Sequence, residues 1–195
     1  MYILLLFLAA FLLISLFTTN WPVKIYHHYL LKKLGVILHC EPQQNGLMLS
    51  SVYSQIVTVY RGRELKIRFV EGAAGALQAN SGLEIRLKTI SPAVLGIYHR
   101  KSNQQEWGDF KRFQTGDASL DSRWFILTDN FQAAAGYWEA GKLASLLASY
   151  EGCLVQLQVN HDEIIASLRR FHSPEKVVAF LDRLCTGIPS RTSPI

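Results

Sequence analysis

The side chains able to do chemistry are few and dispersed. Cys40, Cys153 and Cys185 stand far apart without C-x-x-C spacing, so they assemble neither a structural zinc site nor a redox pair. His39-Cys40 is an adjacent couple, which an extended backbone sends to opposite sides. His161-Asp162 echoes the His-Asp step of metal phosphohydrolases, but their other histidines are missing, and Asn160-His161-Asp162 reads as a turn. There is no phosphate-binding loop, since Gly72-Ala73-Ala74-Gly75 is not followed by Gly-Lys-Ser or Gly-Lys-Thr. No G-x-S-x-G elbow and no H-E-x-x-H pair occur. The densest acids are Asp109, Asp117, Asp121 and Asp129, set among Trp107, Phe110, Phe113, Trp124 and Phe125. Such a mixture could line a cleft for a small ligand or peptide, and Asp117 with Asp121 is the pair a hydrolase would use. Lys111, Arg112 and Arg123 are interleaved with them. Local ion pairing, turn capping by Asp117 and Asp121 and core packing by the aromatics are the simpler account. No catalytic residue, cofactor-binding residue or metal ligand is assigned, and no cofactor is expected.

The same region carries a resemblance. Thr115-Gly116-Asp117, Leu120-Asp121, Trp124-Phe125 and Leu127-Thr128-Asp129-Asn130 are followed by a Leu-rich helix, a strand, a turn and a terminal helix. This order, over about residues 107–187, resembles an uncharacterised family of bacterial single-pass membrane-anchored domains. That family has no established catalytic residues. The resemblance implies an architecture and a location, and no activity.

Upstream lies the strongest signal in the chain. No charged side chain precedes Lys24, and between Ile3 and Phe17 twelve residues are Leu, Ile or Phe. On insertion scales these contribute roughly −4 to −7 kcal/mol together. A helix from Tyr2 to Trp21 would reach about 30 Å, the thickness of a hydrocarbon core. The residues expected to face lipid are Ile3, Leu6, Phe7, Phe11, Leu13 and Phe17, with Trp21 at headgroup depth and Pro22 at the exit. A cleaved signal would need a basic start and a small-x-small site, and neither is present. Lys24, His27, His28, Lys32 and Lys33 follow with no acid before Glu41. The positive-inside rule then places the N-terminus outside and the domain in the cytoplasm, at the inner membrane of the cell. Residues 24–41 are expected to form a basic amphipathic continuation, with Ile25, Tyr29, Leu30 and Leu34 on one side and Lys24, His27, His28 and Lys32 away from it.

Beyond residue 42 the hydrophobic period changes to two. Residues 55–60 are β-branched and aromatic and residues 64–70 alternate, on either side of Arg61-Gly62-Arg63, a hairpin signature. Residues 83–90 alternate again, and strands are expected near 95–99, 124–128 and 154–159. Helical periods run over 131–138, 142–150 and from Ser173-Pro174 to Gly187, while 163–169 fits either a returning strand or a helix. The expected fold is α+β: an N-terminal transmembrane helix, then an antiparallel sheet of five to seven strands with helices late in the chain. Its parts are an anchor at 1–23, the juxtamembrane segment at 24–41, a domain at 42–187 and a tail at 188–195.

The whole chain has 195 residues, a net charge of +5 and 49% hydrophobic residues, which excludes disorder and a disulfide-dense module. Residues 24–123 hold 14 basic and 8 acidic side chains, net +6, and residues 124–195 hold 6 and 7, net −1. Lys66, Arg68, Arg86 and Lys88 fall on outward strand positions and would share a face if their strands pair in register, making a candidate interaction face. The reading that results is a non-enzymatic accessory or assembly subunit of a larger membrane protein complex, respiratory or photosynthetic in type, anchored by one helix. Its expected partners are the lipid bilayer and other membrane-protein subunits, without nucleic acid. The alternative is a membrane-tethered binding module for a small ligand or peptide.

Overall fold

The computed structural model describes residues 2–18, 21–43, 54–70, 82–100, 110–139, 142–169 and 173–188. Two helices open the chain, α1 (Tyr2–Thr18) and α2 (Trp21–Ile37). The strands are β1 (Gln55–Tyr60), β2 (Arg63–Val70), β3 (Gly82–Lys88), β4 (Leu95–His99), β5 (Lys111–Phe113), β6 (Trp124–Thr128), β7 (Leu154–Val159) and β8 (Glu163–Leu168). Four more helices are α3 (Ala118–Arg123), α4 (Phe131–Glu139), α5 (Lys142–Ser149) and α6 (Pro174–Gly187).

The strands form one antiparallel sheet in the order β1-β2-β3-β8-β7-β4-β6-β5. The β1–β2 turn holds Arg61 at φ 50° and Gly62 at φ 77°. Two consecutive left-handed residues make the turn whose twist matches that of paired strands. The β7–β8 hairpin closes through Asn160 N–H to Glu163 C=O at 2.8 Å, with His161 and Asp162 at its tip. β3 pairs with β8, from Leu83 opposite Leu168 to Lys88 opposite Glu163, which joins the N-terminal meander to the rest of the sheet.

Register alone builds the core. Ile56, Ile67, Ile85, Ala166, Leu157, Ile97, Ile126 and Phe113 stand in line across the eight strands. The first seven are fully buried. A parallel row runs Leu65, Leu87, Ile164, Val159, Leu95 and Thr128. Against this face pack Leu31 and Leu34 of α2, Ala134 and Tyr137 of α4, Leu143, Leu146 and Leu147 of α5, and Val177, Phe180, Leu181 and Leu184 of α6. The C-terminal end of α6 is tied to the β1–β2 hairpin. Tyr60 Oη donates to Asp182 Oδ1 at 2.6 Å, Arg61 Nη2 lies 2.5 Å from the same oxygen, and Arg63 Nη1 donates to the Ile188 carbonyl at 3.1 Å. Burial, reinforced by Asp182, pushes the Tyr60 phenol up to about 12.

The α+β class and the antiparallel sheet are as the alternation predicts, with eight strands where five to seven are expected. The short β5 and α3 have no periodic signal in the sequence, and residues 163–169 return as a strand. The transmembrane reading is corrected. α1 stops at Thr18 after 17 residues, about 25 Å at 1.5 Å per residue, and Trp21 begins a separate helix carrying Lys24, Lys32 and Lys33. Among the described residues no helix is long and apolar enough to cross a membrane. The membrane span over Tyr2 to Trp21, the single-pass topology and the inner-membrane orientation drawn from it therefore do not stand. The expected stripe on α2 is also redrawn: Leu31 and Leu34 face the core, while Ile25 and Tyr29 are exposed. The glycine-rich segment at 72–76, the turn at 80–82 up to residue 81, the polar loop at 102–105 and the tail from 189 lie outside the described residues.

Truncating the central row should be costly. Ile85→Ala is expected to lower unfolding free energy by about 2–5 kcal/mol, whereas Lys66→Ala on the opposite face should stay within about 0.5 kcal/mol. Urea melts of the two variants beside the parent chain measure the difference.

Candidate functional site

The acidic and aromatic residues around Trp124 are held by their own local structure. Asp117 caps α3, its Oδ1 accepting from Ser119 N–H at 2.8 Å and Leu120 N–H at 3.3 Å. Asp121 Oδ1 accepts from the Thr115 N–H and Oγ1, both at 3.0 Å, closing the turn at Gly116, whose φ is 81°. Asp129 Oδ1 accepts from Val94 N–H at 2.9 Å. Arg123 Nη1 meets Glu151 Oε2 at 2.5 Å. Trp124 is 1% exposed and meets the His99 ring edge-on at 5.1 Å. Phe113 lies between Trp138 at 6.1 Å and Phe131 at 6.0 Å, and Arg112 sits 5.3 Å over Phe125. The acids do not converge on a common centre. Trp107 and Asp109 lie outside the described residues.

Sequence reasoning misses one constellation, because its members are far apart in the chain. Ser91, Asp129 and His161 meet where the β7–β8 turn docks against residues 89–91. His161 Nδ1 lies 3.1 Å from the Ser91 carbonyl, and Nε2 lies 3.9 Å from Asp129 Oδ2. A serine nucleophile needs the imidazole against its hydroxyl. Here the buried Ser91 Oγ donates instead to the Ala93 carbonyl at 2.6 Å and meets Tyr137 Oη at 2.7 Å. The group is a polar clasp between β4, α4 and the β7–β8 turn. Among the described residues no cluster of three or more His, Cys, Asp or Glu is placed to hold a metal ion.

The structure brings Lys66, Arg68, Arg86 and Lys88 together on the sheet face opposite the helices, with Lys66 opposite Arg86 and Arg68 opposite Glu84. Their charge is largely answered within that face. Arg68 Nε and Arg86 Nε each donate to Glu84 Oε1 at 2.8 Å, Arg86 Nη1 lies 3.7 Å from Glu163, and Lys88 Nζ lies 3.9 Å from Asp162. Lys66 is not ion-paired among the described residues. Burial would raise the Glu84 carboxyl, but the hydrogen bonds and charges of Arg86 and Arg68 outweigh it and hold the group below the usual value. Further along this face Tyr98 lies over Gly96, where a Cβ would come within 2.9 Å of its ring. Gln158 donates to Tyr98 Oη at 3.1 Å, and burial pushes that phenol up to about 12.

The N-terminal helices make the second surface. In α1, Ile3, Leu6, Phe7 and Phe11 are 70–75% exposed, and among the described residues no α1 side chain belongs to the core. α2 has two faces. Inward, His27 stacks on Phe69 at 3.8 Å, and Leu31 and Leu34 enter the core. Outward stand Ile25, Tyr26, Tyr29, Lys32, Lys33, Val36 and Ile37, with the Lys33 ammonium 4.7 Å over the Tyr29 ring. A shallow crevice, open to solvent, lies between α2, the sheet and α6 and is lined by Leu30, Leu31, Leu34, Phe69, Leu83 and Val177. The side chains of Leu13, Phe17, Trp21 and Lys24 lie outside the described residues.

Glu84 should be visible in acid. Its folded value is depressed, so its contribution is complete above the ordinary carboxylate value of 4.5 and is lost as pH falls through the folded one. Glu84→Gln is expected to cost about 1–3 kcal/mol at neutral pH and to flatten the acid limb of a stability-against-pH curve measured by urea melts.

No protein-family model and no curated protein match the chain. Its fold is similar to the crystal structure of the mycobacterial trehalose monomycolate transport factor A, TtfA, with a TM-score of 0.58 and 10% identity over 83% of this chain and 96% of that one. At that identity the likeness is one of architecture.

Proposed function

We propose that the chain is a non-enzymatic accessory subunit of a larger transport-type assembly, which it joins by burying α1 against a partner subunit. One observation carries this reading: α1 is a charge-free helix whose described large apolar side chains, from Tyr2 to Ile14, are 55–83% exposed and are not among the buried residues of the core. Monomeric proteins rarely leave more than a few hundred Å² of contiguous apolar surface uncovered. A helix of this kind is buried when it lies in a groove between apolar helices of another protein. The architectural likeness to a transport factor agrees with an accessory role. The acids around Asp117 and Asp121 cap and close turns, which leaves the hydrolase reading without a reacting centre. Trp124 is in the core, so the alternative ligand or peptide cleft loses its central aromatic.

Extraction from the native host at native abundance, followed by size-exclusion chromatography, tests the proposal. The full chain is expected to migrate in an assembly well above its own mass, and a chain lacking residues 2–18, with an unchanged thermal melt, to migrate as a free protomer. Migration of the full chain as a monomer overturns the reading.

A further inference from the structure

We propose that the outward face of α2 is a peripheral docking surface for anionic lipid headgroups, on which the helix lies parallel to the surface. This rests on α2 alone and not on the burial of α1 in a partner.

The fold divides α2 cleanly. At about 100° per residue, His27, Leu31 and Leu34 point to the sheet and are buried. Ile25, Tyr26, Tyr29, Val36 and Ile37 point away, at 38–71% exposure, and Lys32 and Lys33 stand among them, also exposed. A surface helix that has spent one apolar side on its own core has no structural need for a second. The second side here mixes aliphatic groups, two tyrosines and two lysines without a carboxylate anywhere in the helix. That mixture suits a headgroup region, where aliphatic groups enter the acyl boundary, phenol rings sit at the polar boundary and ammonium groups meet phosphate. The Lys33–Tyr29 contact holds one ammonium beside the ring that would mark that boundary. Across the helix layer, Glu175 at the start of α6 acts on the Lys33 ammonium, which is held first by Tyr29. An acidic protein surface would match the lysines but not the aliphatic strip, so lipid answers more of the face. The contact is peripheral and requires no span.

Vesicle co-sedimentation of the full chain tests this, comparing phosphatidylcholine alone with phosphatidylcholine and phosphatidylglycerol in two-to-one proportion. Preferential binding to the anionic vesicles, weakened by salt, is expected. Lys32→Gln with Lys33→Gln should reduce that binding about fivefold for each lysine removed, with an unchanged thermal melt. Tyr26→Ser with Tyr29→Ser should weaken binding to both compositions. Equal partition between the two compositions, indifference to the lysine changes, or a chain that stays in the supernatant with both vesicles overturns the proposal. The last outcome would leave an acidic protein as the partner of this face. Because the assembly test reads the removal of α1 and this test reads substitutions on α2, one can fail while the other holds.

Discussion

The pairing of β3 with β8 is the constraint on which the rest of the molecule depends. It brings residues 82–88 against residues 163–168 and makes one sheet of the β1–β3 meander and the five later strands. Because side chains alternate across a strand, the register at this seam decides which face is apolar. In the register observed, Ile85 meets Ala166 and continues a row of buried residues from Ile56 at one side to Ile126 near the other. A shift of one residue would turn Arg86 or Glu84 toward the helices and carry Ile85 into water. Ala166 at the centre, opposite Ile85 on one side and Leu157 on the other, leaves room for the large side chains that α6 drives into the same layer.

The charged face follows from the same seam. Strand order puts Glu84 between two arginines and Glu163 within reach of Arg86, so a surface that is basic by count becomes a cross-strand lattice of both signs. Such a lattice orients strands more than it attracts a distant partner. The helix layer is different. α2 contributes to the core with one side and keeps a second apolar side outside, and the described side chains of α1 are exposed. The surfaces open to association are therefore gathered at the N-terminal end, away from the polar lattice.

Much of this was legible in the residues. Alternation at 64–70 and 83–88, a turn at Arg61-Gly62, and Pro174 after Ser173 correspond to β2, β3, the first hairpin and α6. Asp117 and Asp121 act as the turn-capping residues their types imply. The rest depends on partners distant in sequence. Three residues of β5 are too few to show a period. The inward side of α2 cannot be read from hydropathy because His27, polar by type, faces inward to stack on Phe69 of a strand far along the chain. The neutralisation of Arg68 and Arg86 requires the strand pairing. Apolar composition at the N-terminus suggests a span across a bilayer, but composition does not say where a helix ends, and α1 ends at Thr18.

The late position of β8 has a consequence for synthesis. The meander of β1, β2 and β3 leaves the ribosome with its inner edge unmatched until some eighty further residues have been made. For that interval the nascent polypeptide offers a bare strand edge together with the apolar α1 already emerged ahead of it. Early capture of that helix by a chaperone would keep the two from meeting the same features on a neighbouring nascent copy.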